Sequence, residues 1–258
     1  MDMGLAGKVA IVTGGSTGIG YAAARSMARE GARVAILARR ADVLERAAGD
    51  LREDTGGEIV PVAADVSREA DVKAAFEAVL AQFGRLDILV NNAGKSAAGP
   101  FTTVDDASWQ EDLDLKLFAA IRAIRLAVPA MIEGGGGAIV NVVNIGAKAP
   151  GAGSLPTSVS RAAGIALTKA ISKDVAPHRI RVNAVCIGQI KSDQWVRRAR
   201  ANNQDLDEYY ADVGKNIPLG RVGEAEEVGD LIAFLVSERG QYITGTAINA
   251  DGGAAANV

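Results

Sequence analysis

An apolar run, Lys8–Thr13 (KVAIVT), passes through Gly14-Gly15-Ser16-Thr17-Gly18-Ile19-Gly20 straight into a helical pattern over Gly18–Glu30. No other segment restricts the fold as much. A strand this apolar must be covered on both faces, and the glycines let the chain turn tightly onto the helix behind it. A second apolar run, Arg33–Ala38 (RVAILA), follows that helix at once. Strand, helix and strand in this order predict two parallel strands joined by a crossover helix.

The alternation continues to the end of the chain. Helices are predicted over about 41–54, 68–83, 105–133, 157–176 and 224–237. Strands are predicted at Glu58–Ala63, Leu86–Val90, Ala138–Val143, Ile180–Val185 and Thr246–Asn249. With no repeat and no linker, the reading is α/β: one domain spanning 1–258, a doubly wound parallel sheet of the Rossmann type. Residues 189–217 break the rhythm. They are polar, carry Trp195, Tyr209 and Tyr210, and follow a strand, so they are a candidate lid over a crevice at the strands' carboxyl ends.

Composition excludes several classes. A net charge of −3 leaves no sequence-wide basic footprint for nucleic acid. One cysteine (Cys186) and one histidine (His178) exclude an intrachain disulfide framework and a Cys/His metal cluster. Cys186 reads as inert core and His178 as a surface turn. No basic-then-apolar leader and no run of about 18 apolar residues appear, so a cytoplasmic protein without a membrane partner is expected.

The turn from Gly14 to Gly20 has the chemistry of a pyrophosphate site. Glycines allow close backbone approach, and the helix start supplies amide donors and a positive dipole end. A tight turn without a ligand is the alternative. Strand two ends in Ala38-Arg39-Arg40. A ribose 2′-hydroxyl calls for a carboxylate there and a 2′-phosphate for arginine. Ala38 leaves the carboxylate position empty, so Arg39 and Arg40 favour NADP(H) over NAD(H). The alternative is that they are solvated charges at a helix start.

These motifs, with others, make the chain resemble the short-chain dehydrogenase/reductase family over essentially its full length. The turn has the family's Thr-Gly-x-x-x-Gly-x-Gly spacing, through Gly14, Ser16, Thr17, Gly18, Ile19 and Gly20. Asp65-Val66 resembles the adenine contact, and Asn91-Asn92-Ala93-Gly94 the Asn-Asn-Ala-Gly motif. Ile187-Gly188 stands where the family has Pro-Gly, with Ile190 just beyond, and Asp251-Gly252-Gly253 matches the C-terminal motif. The resemblance implies a small-molecule substrate and a homodimer or homotetramer.

It also implies four catalytic positions, and this chain departs at each. The family's tyrosine donates a proton to a carbonyl, a lysine four residues on lowers its pKa and holds the ribose, a serine polarises the carbonyl, and an asparagine supports a water chain. Here the asparagine position falls on Lys116, the serine on Asn144, the tyrosine on Thr157 and the lysine on Arg161. The four tyrosines are Tyr21, Tyr209, Tyr210 and Tyr242, so no local shift restores the motif. A threonine hydroxyl is a far weaker acid than a phenol, and arginine does not relay protons.

Three readings stay open. The first is an oxidoreductase on a carbonyl or alcohol with another proton donor, Lys116 or a lid tyrosine (Tyr209 or Tyr210). The second is a catalytically inactive NADP(H)-binding regulatory or scaffold protein. The third is a non-redox lyase or isomerase whose cations Lys116 and Arg161 hold an anionic or acyl-thioester substrate, with Lys95 and Lys148 either adding to that pocket or facing solvent; in all three, the alternative is that Lys116 and Arg161 only form surface or packing contacts. Arg197, Arg198 and Arg200 of the lid could meet a phosphate or CoA-like tail, or form a solvated helix face.

Overall fold

The strands β1 (Val9–Thr13), β2 (Arg33–Ala38), β3 (Ile59–Ala63), β4 (Ile88–Asn91), β5 (Gly137–Asn144), β6 (Ile180–Ile187) and β7 (Ala247–Ala250) form one parallel sheet. Their order is β3-β2-β1-β4-β5-β6-β7. The computed structural model describes residues 2–201 and 203–257, less the side chains of residues 193, 194, 197 and 198. The lid charges Arg197 and Arg198 therefore lie outside the described side chains.

The sheet explains the apolar runs. Ala10, Val12, Val34 and Ile36 face one way, against α1 (Gly18–Arg29), α2 (Ala41–Thr55) and a late helix, Ala225–Val236. Val9, Ile11, Ala35 and Leu37 face the other way, with Phe76 and Val79 of α3 (Glu69–Phe83) and Ala123 and Ala127 of a helix at Ala119–Glu133. Each large apolar side chain buried this way contributes about 1.5–3 kcal/mol. Strand order reverses at β1, whose neighbours β2 and β4 lead off in opposite directions, so a crevice opens beyond their carboxyl ends.

Two regions differ from the sequence reading. The long helix expected over 105–133 is three pieces: α4 (Asp106–Leu113), a single π-helical turn (Asp114–Phe118) and α5 (Ala119–Glu133). A π turn widens the helix by one residue and is a frequent mark of functional sites; Lys116 sits within it. The polar stretch 189–217 is largely helical, as α7 (Asp193–Ala201) and α8 (Leu206–Gly214) follow α6 (Thr157–Val175) and β6, and α9 (Ala225–Val236) comes after them. Among the described residues no helix is long and apolar enough to cross a membrane.

Candidate active site

A cavity of about 1050 Å³ lies at the switch point, at the large end of ligand-binding cavities. Gly14, Ser16, Thr17, Gly18 and Ile19 form its floor, with Arg39, Arg40, Asp65, Val66, Asn92, Ala93, Gly94, Gly188 and Ile190 around it. The turn is tied to β4 by side chains. Thr13 Oγ1 accepts from the backbone N–H groups of Asn92 (2.9 Å) and Ala93 (3.1 Å), and Asn92 Nδ2 donates to the carbonyls of Thr13 (3.1 Å) and Gly14 (3.2 Å). Gly20 is not in the wall; it packs beneath it. A Cβ at Gly20 would run into the Gly14 carbonyl oxygen and lie 2.6 Å from Asn92 Nδ2. Its glycine therefore serves the fold of the turn.

Arg39 and Arg40 are exposed at the cavity edge, and among the described residues neither has a carboxylate partner. Burial pushes the Asp65 carboxyl up, but hydrogen bonds from Ser67 Oγ (2.7 Å) and N–H (3.0 Å), with Arg39 nearby, hold it below the usual carboxylate range. A glycine-floored turn at a helix start, bordered by two unpaired guanidinium groups, fits a dinucleotide with an extra phosphate.

The opposite wall is built from side chains of two elements. Asn144 ends β5, Thr157 begins α6 and Arg161 lies one turn further on, and all three line the cavity. Lys116 stands behind Thr157, its side chain only 1% exposed. Its Nζ pairs with Asp112 of α4 and donates to Thr157 Oγ1 at 2.8 Å. Thr157 Oγ1 also accepts from the Ala97 N–H at 3.0 Å and lies 3.4 Å from Asp112 Oδ1. Ser160 Oγ donates to Asp112 Oδ2 at 2.6 Å. Burial, then the Arg161 cation, lower the Lys116 pKa to about 8 against the upward pull of Asp112.

Arg161 donates from Nη1 to the Val142 carbonyl at 2.7 Å. Its other terminal nitrogen lies so close to Gly94 that any Cβ there would collide with it. Burial brings the guanidinium down to about 10, still charged at neutral pH. The Asn144 Oδ1 is buried and, among the described residues, has no hydrogen-bond partner, a cost of about 1–3 kcal/mol.

The cation-rich pocket expected from sequence is corrected in part. Lys116 is not an open cation, because Asp112 neutralises it out of the wall. Lys95 pairs with Glu111 at 2.6 Å, and Lys148 donates to the Ala247 carbonyl and Asn249 Oδ1, each at 2.7 Å. Of the four cations proposed to hold an anion, Arg161 alone is without a carboxylate or β7 anchor among the described residues. Tyr209 and Tyr210 are not in the wall either: Tyr209 packs on Trp195 (5.7 Å between ring centres) and Tyr210 under Lys191 (5.4 Å). It is Trp195 that reaches the cavity. His178 lies exposed in a 3-10 turn and Cys186 is fully buried, as expected. Asp112 was missed, although its i,i+4 spacing from Lys116 is the signal of a helical ion pair.

A family model described as enoyl-(acyl carrier protein) reductase matches residues 14–255. The human 3-oxoacyl-(acyl-carrier-protein) reductase is 37% identical over 246 residues, 95% of this chain and 97% of that one. Among solved structures, L-sorbose reductase from Gluconobacter frateurii, complexed with NADPH and L-sorbose, is 37% identical with a TM-score of 0.96 over 100% of both chains. An NADPH-bound short-chain oxidoreductase from Pseudomonas aeruginosa PAO1, described as containing an atypical catalytic center, is 35% identical with a TM-score of 0.92, over 97% of this chain and 98% of that one. The chain belongs to the short-chain dehydrogenase/reductase family, whose fold supports a redox enzyme.

Proposed function

We propose that the protein is an NADP(H)-dependent oxidoreductase acting on a carbonyl or alcohol through an atypical site, in which Lys116 and Thr157 together replace the family's tyrosine. Gly14 to Ile19 would hold the pyrophosphate, Arg39 and Arg40 the 2′-phosphate, and Arg161 the nicotinamide ribose. When bound, the cofactor supplies or takes up the hydride. NADPH in the Gluconobacter and Pseudomonas relatives supports this choice of cofactor.

One observation carries the reading: a buried ammonium of lowered pKa donates to the hydroxyl of a residue that lines the cavity. Threonine alone is too weak an acid. Here both lone pairs of Thr157 Oγ1 are taken by Lys116 and Ala97, so its hydrogen has only Asp112 at 3.4 Å, long for an O–H···O bond. A carbonyl oxygen in the cavity is a better acceptor. As negative charge develops on that oxygen, Thr157 gives it the hydroxyl proton and takes one from Lys116 Nζ, leaving a neutral amine and no free alkoxide on threonine. Product release lets the pair regain a proton through Thr157 from cavity water. Arg161 stabilises the developing oxyanion as a fixed charge. The unpartnered Asn144 carbonyl favours a substrate with a hydroxyl beside the reacting carbon, reached by a small rotation of the amide; the L-sorbose of the Gluconobacter relative has that chemistry.

The test is NADPH binding by fluorescence, followed by NADPH oxidation, read by near-ultraviolet absorbance, against hydroxyketones, quinones, acyl thioesters and imines. Oxidation with a hydroxyketone is expected. Tight NADPH binding with no oxidation across the panel would leave a regulatory binding protein as the better reading.

A further inference from the structure

Asp112 is only 2% exposed, yet it lies one turn from Lys116 on the helix that leads into the π turn. Both of its oxygens are engaged, one by Lys116 Nζ and the other by Ser160 Oγ. We infer that Asp112 is a positioning residue for proton transfer: its carboxylate locks the Lys116 ammonium onto the Thr157 hydroxyl and holds it out of the cavity. The inference rests on the relay reading above.

Three features support it. First, a lysine side chain is long and flexible, and its other polar destination is the cavity a few ångströms beyond Thr157. Asp112 draws Nζ back, so Thr157 lines the wall and Lys116 does not. Second, the arrangement fills both acceptor sites of Thr157 and leaves its hydrogen only the long contact to Asp112 at 3.4 Å. Third, the charges that face Lys116 are Asp112 from α4, Arg161 from α6 and Lys95 from the segment after β4. Two repel a proton on Nζ and one attracts it. Lys95 is already engaged by Glu111, outside this cluster. Asp112 is thus the group that keeps a buried ammonium charged beside a guanidinium. A pair kept only for packing would require neither the contact to Thr157 nor the orienting bond from Ser160.

The test needs no substrate. The protein is produced with isotope-labelled lysine, the Lys116 side-chain resonance is assigned by its loss in Lys116→Met, and its midpoint is followed against pH by NMR. Asp112→Asn keeps the shape and removes the attraction. The Lys116 midpoint is expected to fall by about one pH unit or more, a tenfold loss of proton affinity. An unmoved midpoint would overturn the inference. Ser160→Ala leaves the ion pair intact and serves if Asp112→Asn does not fold. Without the Ser160 bond more of the carboxylate's charge acts on Lys116, so its midpoint is expected to rise, and a fall or no change would count against Asp112. A midpoint that moves as expected in a protein that oxidises NADPH with no carbonyl compound would uphold the Asp112–Lys116 coupling and overturn the redox reading instead.

Discussion

On the β1–β2 side of the cavity the groups that face a ligand are mostly backbone: the turn from Gly14 to Ile19 at the start of α1, tied down by Thr13 and Asn92. On the β5–α6 side they are side chains, Asn144, Thr157 and Arg161, backed by Lys116 and Asp112 from two further elements. The first wall tolerates little change, because its shape follows from where a Cβ cannot go. The second can exchange its chemistry while the backbone stays. Fold and proposed cofactor site are thus carried by one set of constraints and the proposed proton handling by another.

The largest effect expected from breaking the second wall alone is that of Thr157→Val. It removes the hydroxyl that accepts from Lys116 and lowers kcat by about 10²–10⁴, as loss of a positioned acid does. NADPH affinity, measured by fluorescence titration, should stay near wild type. A comparable loss of cofactor affinity would show that the two walls are not separable.

Breaking the first wall alone is next. Gly20→Ala puts a Cβ against the Gly14 carbonyl and Asn92, and overpacking of this kind costs about 1–3 kcal/mol. NADPH affinity should fall by roughly 10- to 100-fold. Arg39→Ala should weaken NADPH binding by about 10-fold or more, since a charge-assisted bond contributes about 1.5–3 kcal/mol, while NADH binding stays the same. Equal losses for both cofactors would remove the 2′-phosphate assignment.

The contrast also explains what was legible in the sequence. The glycine turn, the Asn-Asn-Ala-Gly segment and the strand ends are local patterns whose meaning is backbone geometry, and residues 14, 16–19, 92–94 and 188 reach the cavity. Thr157 and Arg161 were legible as positions on one helix face. Their partners were not. Only the i,i+4 spacing of Asp112 and Lys116 hints at their pairing, and nothing local brings Asp112 to Ser160 of another helix. Contacts between side chains of α4 and α6 have no local signature. The partners of Lys148 are equally hidden in the sequence, since they lie on β7, about a hundred residues away.

The smallest effect expected is at Asn144. Asn144→Ala removes a buried carbonyl oxygen that has no partner among the described residues, so stability should not fall and should rise by up to about 1 kcal/mol, seen as a slightly higher Tm. Turnover of hydroxyketones should drop by more than that of simple ketones. A clear loss of stability would mean that Asn144 serves the fold.

The most direct measurement is the pH dependence of turnover in both directions. Lys116 must be charged to give a proton and neutral to take one, and its pKa lies at about 8. Ketone reduction should therefore fall as pH rises through about 8, and alcohol oxidation should rise through the same value, with both limbs lost in Lys116→Met. Profiles without a limb near that value, or a limb that persists in Lys116→Met, would show that the Lys116–Thr157 pair does not carry the proton.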